Sequence, residues 1–171
     1  MNVYLMRHGI AVAVDEPGIN SDSERPLSPK GVKRLRRAAR GLARLNIAFS
    51  SILTSPVLRA RQTAEIVARS LGMEAKLEEV SGLAPESSVD HLMLGVTRFH
   101  DQEDVLLVGH EPLLSDTVSF LLLGKSKPGV NVRFRKGGLC CIQIDDLPPK
   151  KPGLLQWHLT AKQLRLLSSK P

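Results

Sequence analysis

Three short apolar runs, each ending in a polar bend and followed by a helical pattern, set the rhythm of the chain. "NVYLMR" at 2–7, the centre of "SSILTSP" at 50–56 and the opening of "DVLLVGHEP" at 104–112 read as strands covered on both faces. Between the first two, residues 11–28 are polar and carry Pro17, Gly18, Asn20 and Pro26 as breakers, which predicts a long loop. Ser28 followed by Pro29 is an N-cap with proline in the first turn. The helix that follows sets Val32, Leu35, Ala39 and Leu42 on one stripe and Lys33, Arg37, Arg40 and Arg44 on another, an amphipathic surface helix with a solvated basic face.

The same grammar recurs downstream. Ser55 and Pro56 read as a cap and first-turn proline for a helix reaching about Leu71, with Ala60, Ala64, Val67 and Leu71 inside and Gly72 closing it. A weaker strand is predicted near 75–80 and a helix over 88–100. Pro112 opens a further helix through Leu123. "GGLCCIQID" and "LLQWHLT" are two late strands joined through the turn-rich "PPKKPG", the second running into a polar tail. There is no internal repeat. This alternation predicts the α/β class, a three-layer α/β/α sandwich on a largely parallel sheet, and 171 residues suit a single domain over 1–171.

Composition narrows the function classes. Lys and Arg number 24 against 17 Asp and Glu, a net charge of +7, which suits a phosphorylated substrate, a nucleic acid or an anionic surface. Four Phe, one Tyr and one Trp are too few for a base-stacking surface, so no nucleic-acid partner is expected. No apolar run approaches the ~18 residues of a membrane span, and Arg7 and His8 interrupt the first run too early for a secretory leader. Cys140 and Cys141 are neighbours that a strand would point to opposite faces, so they are not expected to bridge. Without Cys-x-x-Cys or His-x-x-x-His spacing, the expectation is a cytoplasmic, monomeric protein with no metal and no cofactor.

In an open α/β sheet, ligands bind at the carboxyl ends of the strands. The loops after Met6, Thr54 and Val108 would bring Arg7, His8 and Gly9, then Ser55 and the helix start "PVLRARQT", then Gly109 and His110 to one pocket. Guanidinium forks and first-turn amides suit a doubly charged oxyanion, and a neutral imidazole is a competent nucleophile toward phosphorus. Taken singly, His8 is as well explained as a satisfied core histidine and Arg7 as a turn residue.

Together, "LMRHG", "TSPVLRARQTAE" and "LLVGHEP", in that order and at these intervals, resemble the histidine phosphatase superfamily, which includes phosphoglycerate mutases and acid phosphatases. The short length, "RPLSPKG", "LAP" at 83–85 and the closing "WHLTAKQLR" look closest to its compact branch, the SixA-type phosphohistidine phosphatases. The resemblance spans nearly the whole chain. It implies that His8 attacks phosphorus and carries the phosphoryl group, that Arg7 and Arg59 bind its oxygens, and that His110 completes the pocket. It also suggests that Arg25 reaches the site from the long loop. Arg59 and Arg61 lie about 200° apart around a helix, so only one can face the phosphate; the family pattern selects Arg59. His91, His100 and His158 match no motif and read as surface or structural.

One departure concerns the proton donor. Larger members of the superfamily carry a carboxylic acid after the third strand, where this chain reads "EEVSGLAPESS". Glu78, Glu79 and Glu86, with Asp15 and Glu16 of the long loop, are the nearest carboxylates, and none is assigned. Glu111, where many relatives have a neutral residue, either orients a partner or caps a helix. The expected activity is a phosphatase acting through phosphohistidine on a phosphorylated protein. The alternatives are a phosphatase of small phosphomonoesters, and a phosphate-recognition module without turnover. A mutase, lacking room for phosphoglycerate-cradling insertions, and a basic nucleic-acid binder fit less well.

Overall fold

The computed structural model describes residues 1–124, 129–130 and 132–168. Its strands are β1 (Asn2–Arg7), β2 (Ser51–Thr54), β3 (Leu77–Glu79), β4 (Asp104–Gly109), β5 (Leu139–Gln143) and β6 (Leu154–Leu159). They form one sheet in the order β3-β2-β4-β1-β5-β6. The first four in that order run parallel, β5 is antiparallel to β1, and β6 is antiparallel to β5. The helices are α1 (Pro29–Ala43), α2 (Leu58–Leu71), α3 (Val89–Val96), α4 (Leu113–Leu123) and α5 (Ala161–Leu167).

Alternation along the strands builds two cores. Val3 and Leu5 of β1 and Leu107 of β4 pack with Leu92 of α3 and Leu114 and Val118 of α4. Tyr4 and Met6 pack on the other face with Leu35 and Leu42 of α1, Ala64 and Val67 of α2, and Leu164 of α5. Side chains two residues apart share a face of a pleated strand, so a continuous apolar run feeds both layers. The α/β/α sandwich predicted from the apolar rhythm is the fold observed.

Ser28 caps α1 as its sequence implies, accepting a hydrogen bond from the Gly31 amide at 3.0 Å. Ser55 does not cap α2. That helix starts at Leu58 with Val57 as its N-cap, and Ser55 Oγ instead accepts from the Val57 amide at 3.2 Å. The predicted helix over 88–100 ends at Val96 and tightens into a 3-10 turn over Thr97–Phe99.

The polar tail after β6 is a helix, α5. Thr160 Oγ1 accepts from the Gln163 amide while the Gln163 carboxamide accepts from the Thr160 amide, a reciprocal capping box. Leu164 is fully buried, a gain of roughly 2 kcal/mol. A Cβ on Gly41 would overlap the Leu164 carbonyl, so α1 and α5 touch backbone to backbone and only glycine fits between them.

Topology places the site. The carboxyl ends of β1, β2 and β4 share one edge. Because β5 runs antiparallel, its first residue, Leu139, pairs with Met6, which brings the segment entering β5 to that same edge. Leu139 also pairs with Leu159, so β6 exits into α5 there as well.

Candidate active site

His8, Arg59 and His110 converge at this edge and are all buried. His8 sits just beyond β1, where its Nδ1 lies 2.7 Å from the Gly9 carbonyl oxygen. A carbonyl only accepts, so Nδ1 carries the proton and the lone pair lies on Nε2. Arg59 Nε donates to that Nε2 at 3.3 Å. Thr63 holds the two elements in register: its Oγ1 accepts from the Gly9 amide at 3.0 Å and donates to the Arg59 carbonyl at 2.7 Å.

His110 faces His8, with ring centroids 5.0 Å apart. Arg59 Nη2 lies 3.5 Å from His110 Nδ1, and His110 Nε2 lies 2.9 Å from Ser55 Oγ. An arginine donor at Nδ1 places the His110 proton on Nε2, pointing at the Ser55 hydroxyl. Burial is the main reason both imidazoles resist protonation. His8 is pushed down to about 3, with His110, Arg59 and Arg7 adding to the effect against the opposing Gly9 hydrogen bond. His110 is pushed down to about 4, with Arg59 the next contributor. Both rings are neutral at physiological pH.

Arg7 ends β1. Its Nη1 donates to the Phe134 carbonyl at 2.7 Å, while its buried Nε has no hydrogen-bond partner. Phe134 is itself fixed by Glu111, which accepts from the Phe134 amide at 3.2 Å and from both the amide and the hydroxyl of Ser115. Glu111 therefore joins the start of α4 to the segment that steers Arg7. Of its two expected roles, helix capping is the nearer, since Glu111 accepts the Ser115 amide in the first turn of α4; the tie to Phe134 is an additional role that neither reading named.

The structure brings a carboxylate to the cluster that the sequence pattern did not single out. Asp22, in a 3-10 turn of the long loop, contacts Arg59 twice: its Oδ2 lies 2.8 Å from Nη2 and its carbonyl 2.6 Å from Nη1. Arg25 holds the other Asp22 oxygen at 2.6 Å and donates through Nε and Nη2 to the Val12 carbonyl. Arg25 thus fastens the loop and reaches the cluster through Asp22. Hydrogen bonding from Arg25 and the nearby Arg59 hold the Asp22 carboxyl below the usual carboxylate range.

Arg61 points away from the pocket and pairs with Glu79 at 3.3 Å. Glu78 pairs with Arg98, and Glu86 is exposed. Asp15 and Glu16 are exposed on the loop. A Cβ on Gly82 would lie 2.8 Å from the Leu92 Cα and 2.9 Å from the His91 carbonyl, so no acid fits at that point. Lys136, on the turn entering β5, was also missed by pattern. Burial first, then the charges of Arg7, Arg25 and Arg59, lower its basicity. His91 and His100 are exposed, whereas His158 stacks edge-on against Phe134 at 5.1 Å. Among the described residues no group of His, Cys, Asp or Glu could hold a metal ion.

What this cluster can do is hold a tetrahedral dianion between guanidinium donors with a neutral imidazole lone pair beside it. The comparisons agree. The family model of the histidine phosphatase superfamily, branch 1, matches residues 3–84. An uncharacterised protein of Picosynechococcus is 37% identical over 142 residues, covering 81% of this chain and 82% of that protein. The phosphohistidine phosphatase SixA of Escherichia coli is 29% identical over 168 residues, covering 97% of this chain and 98% of the relative. The solved structure of the protein histidine phosphatase SixA complexed with tungstate superposes with a TM-score of 0.81 at 29% identity, over 96% of this chain and 99% of that one. With the fold, the clustered Arg-His pairs and these likenesses in agreement, the chain belongs to the histidine phosphatase superfamily, in its compact SixA-type branch.

Proposed function

We propose that the chain is a protein phosphohistidine phosphatase that works through a phosphoryl group carried on His8. One observation carries this reading: the pocket pairs a neutral nucleophile and cationic clamps with, among the described residues, a single close carboxylate, Asp22, that two arginines keep ionised. Such a site grips phosphate and lacks a proton donor for a basic leaving group.

Phosphohistidine needs no such donor. In the first step the His8 Nε2 lone pair forms a bond to phosphorus as the substrate's P–N bond breaks. The substrate reacts as its phosphoimidazolium, with a proton already on the nitrogen that does not bear phosphorus, so the departing imidazole takes the P–N electron pair and leaves neutral. Arg7 and Arg59 hold the equatorial oxygens, and the His110 N–H, given to Ser55, orients the Ser55 hydroxyl beside them. In the second step water attacks phosphorus, the P–Nε2 bond breaks, and both water protons leave on dihydrogen phosphate. His8 returns to its starting tautomer.

SixA of Escherichia coli is a phosphohistidine phosphatase by name, and the tungstate-bound SixA structure carries an oxyanion, both in line with this reading. The protein acts as one domain over 1–171, as a monomer in the cytoplasm, without cofactor, nucleic acid or membrane. Among the described residues no helix is long and apolar enough to cross a membrane. Alkyl phosphates are the second substrate class, disfavoured because their alkoxides leave unprotonated. The test is a leaving-group series spanning phosphoramidate, aryl and alkyl phosphates on wild type and His8→Ala. The reading expects fast phosphoramidate turnover, a kcat/KM that falls steeply as the ester leaving group becomes more basic, and no turnover in the variant. Alkyl phosphate hydrolysis as fast as phosphoramidate hydrolysis would move the protein to the general phosphatases.

A further inference from the structure

A groove of about 1020 Å³ opens beside Arg7, between α1, the segment entering β5, and α5. Its walls carry Arg34, Arg133, Arg135, Lys136, Lys162 and Arg165 and no carboxylate among the described residues. None of these six cations makes an ion pair among the described residues, although surface cations elsewhere do, as with Arg61 and Glu79 or Lys150 and Asp146. Arg165 also feels Arg34 and Arg37 across the α1–α5 contact, which with burial lowers its basicity. Folding has gathered like charges here and left them without internal partners, an arrangement that an external anion relieves.

The lining excludes a purely ionic occupant. Leu166 stands in the groove 65% exposed, beside the half-buried Ile10. Phe134, the one aromatic residue of the lining, is buried, so no ring is offered to a base. An acidic protein face carrying an apolar side chain matches this mixture, whereas a polyphosphate chain leaves Leu166 in water and a single-stranded nucleic acid finds nothing to stack on.

Arg7 lines the groove and lies close enough to His8 and His110 for its charge to act on both, so a phosphoryl group held at His8 sits beside this surface. We propose that the groove is the docking surface for the carrier protein, seating an acidic, Leu166-contacting face of it while its phosphorylated residue sits at Arg7. This rests on the phosphohistidine reading of the His8 site.

The experiment uses two synthetic phosphohistidine peptides, one flanked by aspartate, glutamate and leucine and one by serine and glycine, with phosphoramidate as the small substrate. Wild type should favour the acidic peptide at least ~10-fold in KM, the sum of several exposed ion pairs, and lose that preference as salt shortens the Debye length. The Arg34→Glu/Arg165→Glu double variant should lose the preference while phosphoramidate kcat/KM stays within ~2-fold. Lys162→Glu, an exposed single change, should reduce the preference in part. Equal handling of the two peptides by wild type would overturn the proposal. So would inhibition by inorganic polyphosphate or an oligonucleotide that exceeds inhibition by the unphosphorylated acidic peptide. If neither peptide nor phosphoramidate is turned over, the phosphatase reading fails separately. Docking is then read from fluorescence anisotropy of the unphosphorylated acidic peptide: binding to wild type and not to the double variant sustains it, and no binding to wild type overturns it.

Discussion

Asp22 occupies two donors of Arg59: Oδ2 sits 2.8 Å from Nη2 and the backbone carbonyl 2.6 Å from Nη1. A carboxylate and a phosphoryl group ask for the same donors, so on the proposed reading substrate must displace this contact before Arg59 can grip it. The Asp22 side chain is 57% exposed, which limits the worth of the pair to that of a surface salt bridge. Asp22→Asn should therefore tighten inhibition by inorganic phosphate by about two- to five-fold. Competition assays against p-nitrophenyl phosphate measure it; weaker inhibition in the variant would mean that Asp22 helps to build the site.

Arg59→Ala should lower kcat/KM by at least ~10²-fold, the scale of one lost oxyanion donor. Arg61→Ala, which removes an exposed pair with Glu79, should change it less than ~2-fold. Steady-state kinetics on both variants decide between the two arginines.

Acid should weaken the fold through the two buried imidazoles. His8 and His110 stay neutral in the folded protein down to about 3 and about 4, while the unfolded chain takes up protons near 6.5. Between those limits the unfolded state binds more protons, so stability is lost as pH falls below 6.5 and is insensitive to these groups above it. Urea midpoints measured through this window should decline with falling pH in wild type and decline less in His8→Asn.

On the proposed reading, Glu111 acts on the chemistry through Phe134 and Arg7. Glu111→Ala removes the acceptor that fixes the Phe134 amide, and should raise KM by about ten-fold as Arg7 loses its aim, with a smaller effect on kcat. Glu111→Gln keeps one carbonyl acceptor and should recover most of the loss. Comparable loss in both variants would assign the effect to charge.

The elements around the three apolar strands were legible because a buried strand announces itself by composition and Ser28–Pro29 by its local chemistry. The positions of Arg7, His8 and His110 followed from strand ends, whereas the choice of Arg59 over Arg61 in α2 came from the family resemblance. Asp22 was not legible: it reaches Arg59 from a loop with no periodicity, through a contact 37 residues apart in sequence. Lys136 and Phe134 escaped for another reason. A loop that precedes a strand reaches the reactive edge only when that strand runs antiparallel, and β5's direction is set by tertiary pairing. The helix α5 had a readable signal in Thr160 and Gln163, but of its apolar residues only Leu164 is fully buried while Leu166 and Leu167 are exposed, so no apolar stripe marks it.

The reversed direction of β5 divides the labour of the chain. The groups proposed to handle phosphorus come from the first 110 residues, while most of the groove beside them comes from Arg133 through Leu166. If both proposals hold, address and reaction are written in different stretches of one polypeptide. Exchanging the later stretch should re-address the protein to a new carrier with its reaction left in place, as a tool head is changed on a common drive.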